Sequence, residues 1–223
     1  MKNLRNYLTA LVVLAAPAAQ AAPVTWADWS QFTPNTQVLG TIGGIGVTYQ
    51  GLYSFVQTGA GTNYWTEPNP ANQPYTGNAV IDNAPTPSEM IAIDLPATHT
   101  ITFSQPILNP VMAIVSLGQP SLEVSYAFDT PFNLLSDGQG FWGVDPNGVN
   151  IVGQVLGGQE FHGAIQFSGL ISSFSWTSSP NEFWHGITVG SVEAVPLPAS
   201  LPLFAGGLGL LGLMGWRRQR AAA

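Results

Sequence analysis

The sequence contains no cysteine and few basic residues, and the basic residues that it has lie only at its two ends. The lack of Cys excludes a disulfide framework, a thiolate nucleophile and a Cys-ligated zinc site. Between Ala22 and Ala194 there is no Lys or Arg at all. Proteins that bind nucleic acid or anionic lipid head groups use Lys and Arg to neutralise phosphate. We therefore expect this segment to bind neither.

The same segment holds all twelve Asp and Glu residues of the chain, from Asp28 to Glu193. It therefore carries a charge of about −12, although the formal charge of the whole chain is −7. Asp145, Asn147 and Asn150 offer oxygens to Ca²⁺, but they do not form an EF-hand loop, and Asp-Pro-Asn-Gly is equally typical of a type I turn. We expect no cofactor, with a bound calcium ion as the alternative.

Residues 1–21 have the pattern of a secretory signal peptide. Two basic residues precede an apolar run over 7–16, and Ala19 and Ala21 occupy the two small-residue positions that signal peptidase inspects. The apolar run is shorter than the ~20 residues that a membrane-spanning helix needs. The pattern predicts export, with cleavage before Ala22.

The stretch 197–216 contains no charged residue and is followed at once by Arg217, Arg218 and Arg220. Its length and the flanking positive charge predict a single transmembrane helix whose C-terminus lies in the cytoplasm. The segment 22–194 would then face outward. The protein would be anchored to the membrane through this helix.

Just before and within the start of this apolar stretch stands the motif Val195, Pro196, Leu197, Pro198 and Ala199. The motif, the Gly- and Leu-rich helix and the terminal Arg cluster together resemble the VPLPA variety of the PEP-CTERM sorting signal over residues 195–223. The resemblance implies cleavage by an exosortase, a membrane-embedded cysteine protease. It also implies passage from an inner-membrane anchored intermediate to the cell envelope or extracellular matrix of a Gram-negative bacterium. The alternative is an ordinary C-terminal membrane anchor.

The segment 22–194 is predicted to be one all-β domain, a two-sheet β-sandwich or jelly roll. Short β-branched and aromatic runs alternate with turn residues, and no long stretch has a helical period. About 170 residues bury one good core, so a second domain is not required. The clearest predicted strands are Ile91–Leu95, His99–Phe103, Val111–Leu117, Leu122–Phe128, Ile151–Leu156, Phe161–Phe167, Ile171–Trp176 and Ile187–Val192.

Two features of these runs bear on the fold. In the first strand Ile91, Ile93 and Leu95 share one face, whereas Ala92 and Asp94 share the other, which predicts one buried face and one wet face. The segment from Gly59 to Glu89 is a long aromatic and proline-containing loop, and long loops in compact domains are often functional or disordered.

Aromatic side chains in or beside these loops are candidates for binding sugar rings, with nearby acids to bind the hydroxyl groups. The candidate ligand contacts are Tyr64, Trp65, Tyr75 and Trp184, with Trp142 as a further aromatic and Asp82, Asp137 or Glu182 as acids. Aromatic residues also fill the cores of β-sandwiches, so core packing is the competing interpretation for each of them.

Two Glu–His pairs are candidate metal ligands. Glu160 and His162 lie two apart on a predicted strand, and Glu182 and His185 lie three apart in a predicted loop. A catalytic zinc needs three protein ligands, so neither pair is sufficient alone. We therefore expect no metal site, and ordinary hydrogen bonding for both histidines.

No nucleophile elbow, phosphate-binding loop or His-Glu-x-x-His motif is present, so no catalytic residue is predicted. We expect a non-enzymatic surface or matrix protein that binds extracellular polysaccharide. A purely structural matrix component without a ligand is one alternative. A secreted carbohydrate-active hydrolase that uses acids such as Asp82 or Glu160 is the other, because a glycosidase needs only two carboxylates.

Overall fold

The computed structural model describes residues 21–143 and 148–192, and these residues form β-strands joined by turns and loops. Two antiparallel sheets pack against each other as a β-sandwich, which confirms the predicted all-β class. In this part of the chain no helix is long and apolar enough to cross a membrane. Residues 1–20 and the sorting segment 195–223 lie outside the described residues, so the signal peptide and the anchor stay predictions.

One sheet has seven strands, all paired antiparallel. They are β1 (Val24–Trp26), β5 (Phe55–Thr58), β6 (Glu89–Ile93), β8 (Val111–Leu117), β10 (Phe132–Asp137), β13 (Phe161–Phe167) and β15 (His185–Val192). Their order is β10-β13-β8-β15-β6-β5, and β1 pairs with the last residues of β15. The central strands β13, β8 and β15 are therefore neighbours, which brings the ends of distant segments together.

The other sheet has eight strands. They are β2 (Asp28–Thr33), β3 (Gln37–Ile42), β4 (Ile45–Gln50), β7 (Thr98–Leu108), β9 (Val124–Phe128), β11 (Val149–Val152), β12 (Val155–Gly158) and β14 (Leu170–Ser179). Their order is β11-β12-β9-β14-β7-β4-β3-β2. Two long strands, β7 and β14, form its centre.

The main core lies between the two sheets and is rich in aromatic residues. Strand β8 supplies Met112 and Ile114 from one side, and Trp176 and Phe174 of β14 face them from the other. All four side chains are buried. Since successive residues of a strand point to opposite faces, β8 directs only every second residue into this core.

The outer face of the seven-stranded sheet is buried as well, so the prediction of one wet face is wrong for β6. Met90 and Ala92 belong to a second apolar cluster outside the sandwich, whereas Ile91 and Ile93 belong to the main core. The long segment 59–88 supplies the covering residues of the second cluster. Leu95, predicted to be a core residue, follows the strand and is exposed.

Hydrogen bonds hold the segment 59–88 in place over the sheet. The Glu67 carboxylate accepts bonds from the backbone N–H groups of Tyr75 and Thr76 at 2.9 and 2.8 Å. The Asn78 side chain donates to the Tyr75 carbonyl at 2.9 Å and to the Ser136 hydroxyl, on β10, at 3.0 Å. The segment is thus a structured cover of the seven-stranded sheet.

Several strands differ from the prediction in length or number. The predicted strand Ile151–Leu156 is a hairpin, because Gly153 has a positive φ of 63° and turns the chain between β11 and β12. Strand β7 runs to Leu108, five residues beyond the predicted end at Phe103. The first five strands, between Val24 and Thr58, were not singled out among the clearest predicted strands.

Candidate functional site: an aromatic cleft

A cleft of about 270 Å³ opens where the end of β8, the start of β13 and the loop before β15 meet. These segments are adjacent because β13, β8 and β15 are neighbours in the sheet. The lining consists of three aromatic residues, two glutamates and three small or polar residues. They are Trp142, Phe183, Trp184, Glu160, Glu182, Ser116, Gly118 and Gln119, and we call this site the aromatic cleft.

The two tryptophans of the cleft belong to a larger cluster of aromatic rings. Trp142 stacks on Tyr64 with ring centroids 5.2 Å apart and an interplanar angle of 21°. Trp184 meets Trp142 and Tyr64 edge to face, each at 5.0 Å. Phe141 meets Tyr64 at 5.0 Å, and Phe55 of β5 supports Trp184 at 5.1 Å. Contacts of this kind fix the rings in position, which favours a preformed surface.

The outer rings of the cleft are open to solvent. Phe183 is 85% exposed and Trp142 is 47% exposed, whereas Trp184 and Tyr64 are half-buried. Exposed aromatic rings beside a concave, partly polar surface are more typical of a binding site than of a core. The cleft therefore leaves aromatic rings available to a ligand.

Glu160 supplies the accessible carboxylate of the cleft. The Ser116 hydroxyl donates a 2.6 Å hydrogen bond to its Oε1, and Nε2 of His162 lies 3.2 Å from the same oxygen. Burial raises the pKa of Glu160, but its interactions with His162 and Ser116 outweigh this and set the pKa below its ordinary value. Its side chain is 13% exposed, so an ionised carboxylate borders the cleft at neutral pH.

His162 is buried beneath this carboxylate and is held by the backbone. Its Nδ1 accepts a hydrogen bond of 3.2 Å from the Ser116 N–H, which places the proton of the neutral ring on Nε2, towards Glu160. A side chain at Gly140 would overlap the ring, since a Cβ there would clash with Nδ1. Glycine at position 140 therefore permits the close approach of the chain to His162.

The second Glu–His pair forms the inner wall. Oε1 of Glu182 contacts Nδ1 of His185 and also accepts a 2.9 Å bond from the Gly118 N–H. Both side chains are buried. Both Glu–His pairs singled out in the sequence are thus in contact in the structure. Their two glutamates, 22 residues apart in sequence, line the same cleft.

The backbone around Glu160 is strained. Ser116 and Glu160 have positive φ angles of 59° and 60°, which non-glycine residues seldom adopt. Between Phe161 and Gly163 the pairing of β13 with β8 also shifts register, as at a β-bulge. Bulges and unusual φ values re-aim side chains and cluster at functional sites. Here they direct the Ser116 hydroxyl and the Glu160 carboxylate towards each other.

Metal binding has no support in the described residues. Over 21–143 and 148–192, no group of three or more His, Asp or Glu side chains could hold an ion. Asp145 and Asn147, the candidate calcium ligands, lie outside the described residues. Asn150, the third candidate, is exposed on β11 and donates a long bond of 3.5 Å to Glu123.

Two of the four predicted ligand contacts are core residues instead. Trp65 is 2% exposed and Tyr75 is buried, and their rings pack edge to face at 5.3 Å in the second apolar cluster. The Trp65 indole also donates to the carbonyl oxygen of Glu89 at 3.1 Å. A sugar ring cannot stack on a covered indole, so the surface interpretation is wrong for both. Asp82 and Asp137 are exposed but do not line the cleft.

The other two predicted contacts, Tyr64 and Trp184, belong to the aromatic cluster at the cleft. Phe183, Ser116, Gly118 and Gln119 were not predicted as site residues. Only the neighbouring positions of Glu182 and Trp184 in the sequence could have pointed to Phe183. The other three depend on the order of strands in the sheet, which the sequence alone did not provide.

No family model matches the chain, and no curated protein and no solved structure matches it.

Proposed function

We propose that the protein is an exported surface or matrix protein that binds extracellular polysaccharide in the aromatic cleft. The observation that carries the proposal is the pair of exposed rings, Trp142 and Phe183, beside the accessible carboxylate of Glu160. An aromatic face packs on the apolar face of a sugar ring, and a carboxylate accepts bonds from its hydroxyl groups. Catalysis is not part of this proposal.

A binding experiment with a ring-deleted variant tests the proposal. Trp142→Ala should weaken binding to a polysaccharide found on a glycan array by roughly 1 to 3 kcal/mol, by analogy with other aromatic stacking contacts. The matched control is Phe32→Ala, which removes another exposed ring from the edge strand β2. Equal weakening by both variants, or no binding to any glycan on the array, would refute the proposed site. The absence of all binding would favour the structural matrix component.

The route to the surface rests on the two sequence signals. The proposal is that signal peptidase cleaves before Ala22 and that an exosortase cleaves near Val195–Ala199, leaving the Arg cluster in the membrane. Ala22 is already paired within the domain, since its N–H donates to the Val80 carbonyl at 3.0 Å. A new amino group at Ala22 would keep that partner.

Intact-mass spectrometry of the surface fraction tests this route. The expected mass is that of a polypeptide that begins at Ala22 and lacks Arg217, Arg218 and Arg220. Recovery only of protein that retains those three arginines would replace the sorting interpretation by a permanent anchor.

One observation favours the hydrolase as a second candidate, because Glu160 and Glu182 line the same cleft. A glycosidase uses two carboxylates on either side of the scissile bond. A polysaccharide-hydrolysis screen with the wild type, Glu160→Gln and Glu182→Gln would expose this activity. Release of reducing ends by the wild type, lost in both variants, would establish an enzyme. Binding without release would leave the binding function.

A further inference from the structure

We propose that the aromatic cleft selects glycans whose sugar units carry free amino groups and rejects acidic glycans. The inference rests on the proposed polysaccharide binding and names the chemical class of the ligand. It is drawn from the charges at the cleft, from the absence of cations across the domain and from the aromatic faces beside Glu160.

A ligand in the aromatic cleft meets negative charge. Glu160 borders the cleft, and the inner wall holds Glu182, whose carboxylate is bonded to Gly118 and His185. Between Ala22 and Ala194 the sequence has no Lys or Arg. Within 21–143 and 148–192, the ion pairs of carboxylates are those with His162 and His185. The cleft thus offers a ligand negative charge without a nearby permanent cation.

The Glu160 carboxylate can accept further hydrogen bonds from a ligand. Its Oε1 is shared by the Ser116 hydroxyl and the His162 contact, and neither group is a permanent cation. A carboxylate has two oxygens with about four acceptor positions. Capacity remains for a donor from the cleft. An ammonium group forms shorter and stronger bonds to a carboxylate than a neutral hydroxyl does.

The Trp142 ring provides a second attraction for an amino group. An ammonium group over the face of a tryptophan is attracted by the electron-rich ring, and the half-exposed Trp142 lines the same cleft as Glu160. Trp142 is held in place by stacking on Tyr64. One side of an amino sugar would thus rest on an aromatic face while its nitrogen faces the carboxylate.

Acidic glycans are repelled by the same carboxylates. A uronate or sulfate group in the cleft would face Glu160 and Glu182, and the described residues provide no Lys or Arg to compensate. Like charges brought together at a partly desolvated surface repel one another, and such repulsion is a common source of specificity. Acidic polysaccharides should therefore be excluded.

The test measures binding of the purified full chain, in detergent, by isothermal titration. The probes are oligosaccharides of glucosamine, N-acetylglucosamine, glucose and glucuronate, of equal length and linkage. The glucosamine oligomer should bind about ten-fold tighter than the glucose and N-acetylglucosamine oligomers, as expected for one charge-assisted contact. The glucuronate oligomer should not bind. The preference should shrink as NaCl is raised, because salt screens the attraction.

Three variants locate the preference. Glu160→Gln should lower glucosamine affinity about ten-fold and glucose affinity less than about two-fold, since it keeps shape and removes charge. Trp142→Ala should lower the affinity for both the glucosamine and the glucose oligomers. Glu123→Gln is the matched control, because Glu123 is an exposed glutamate outside the cleft. It should change neither affinity.

The outcomes separate this inference from the proposed function. Equal affinity for glucosamine and glucose oligomers, both weakened by Trp142→Ala, would overturn the amino-sugar inference and leave polysaccharide binding intact. Tighter binding of glucuronate would do the same. A glucosamine preference that Glu123→Gln reduces as much as Glu160→Gln would show general attraction to an acidic protein and refute selection by the cleft. No binding to any of the four oligomers would overturn the amino-sugar inference, whereas the proposed function is overturned only when no glycan on the array binds.

Discussion

The carboxylate of Glu89 accepts a hydrogen bond from the backbone N–H of Trp29, with 2.8 Å between Oε2 and N. Trp29 belongs to β2 of the eight-stranded sheet and Glu89 to β6 of the seven-stranded sheet, so the bond joins the two sheets. The Trp29 indole adds a second link, to the Thr188 hydroxyl of β15 at 3.2 Å. Burial raises the pKa of Glu89 to about 7, although the Trp29 N–H lowers it, and the charge of Asp28 raises it further.

Glu89→Gln should therefore stabilise the protein at alkaline pH. The folded-state pKa lies above the ordinary value of 4.5, so the ionised group destabilises the folded state above pH 7. That penalty is relieved as the pH falls from 7 towards 4.5. The amide carries no charge and keeps an oxygen for Trp29, so we expect a gain of about 1 to 2 kcal/mol at pH 8. Urea unfolding at several pH values measures it.

The exposed Glu123 provides the control, since Glu123→Gln should leave the pH profile of stability almost unchanged. An equal free energy of unfolding for Glu89→Gln and wild type at pH 8 would contradict the argument. So would a stability gain of the wild type between pH 7 and 4.5 that the variant retains.

His99 should act in the opposite direction over the acidic range. It is buried between the Tyr49 hydroxyl, 2.7 Å from Nδ1, and the Ser178 hydroxyl, 2.9 Å from Nε2. Burial, and to a lesser extent His185, lowers its pKa to about 3. The unfolded chain binds a proton below the ordinary value of 6.5 and the folded chain does not, so stability falls as the pH drops from 6.5 towards 3.

His99→Gln should flatten this loss of stability, although it weakens the network and costs about 1 to 3 kcal/mol at pH 7. Thermal unfolding between pH 7 and 4 gives the slope for each variant. In Glu89→Gln the slope should be steeper than in the wild type, because the opposing contribution of Glu89 is absent. Parallel slopes for the wild type and His99→Gln would show that His99 does not control acid stability.

Trp65 and Trp142 should respond in opposite ways to truncation. Trp65→Ala removes a buried ring from the second apolar cluster and should lower the free energy of unfolding by about 3 to 5 kcal/mol. Trp142→Ala removes a half-exposed ring and should lower it by much less, while weakening ligand binding. Chemical denaturation of the two variants under one condition compares them. Comparable losses would mean that the Trp142 ring is also a core element.

The sequence predicts the class of the fold well and the site poorly, for physical reasons. The strand Phe161–Phe167 was predicted with its observed bounds, because β-branched and aromatic residues are bounded by turn residues. The burial of both faces of β6 was missed, because alternation in one strand does not reveal that a distant segment covers its second face. For the same reason the sequence leaves open whether Trp65 lies at the surface or in the core.

The site shows the same division. The pairs Glu160–His162 and Glu182–His185 are apparent in the sequence because their members are close in it. Their arrangement around one cleft depends on β13 and β15 both pairing with β8, which is a non-local property of the sheet. The Ser116 contact with Glu160 depends on two positive φ angles, and neither Ser nor Glu is a residue type that indicates a positive φ in a sequence.

The last prediction concerns the repulsion among the acidic residues of the domain. Several carboxylates accept backbone N–H bonds, as Glu67 does from Tyr75 and Asp129 does from Ser175 at 2.9 Å each. These bonds satisfy the oxygens but leave the negative charge in place. With twelve acids and no Lys or Arg between Ala22 and Ala194, the charges oppose compaction over distances beyond direct contact.

Stability should therefore rise with NaCl, because screening shortens the repulsion to about 10 Å at 0.1 M salt. Calcium should raise it more steeply if several carboxylate and carbonyl oxygens share one ion, since a bound divalent cation cancels charge that monovalent salt only screens. Thermal unfolding at pH 7 in NaCl, in CaCl₂ of equal ionic strength and in chelator separates the two effects. If the carboxylates repel one another in this way, the melting temperature rises with NaCl. A melting temperature that changes with neither salt would show that repulsion among the acidic residues does not limit the stability of the folded protein. The local N–H bonds to the carboxylates would then outweigh the summed charge.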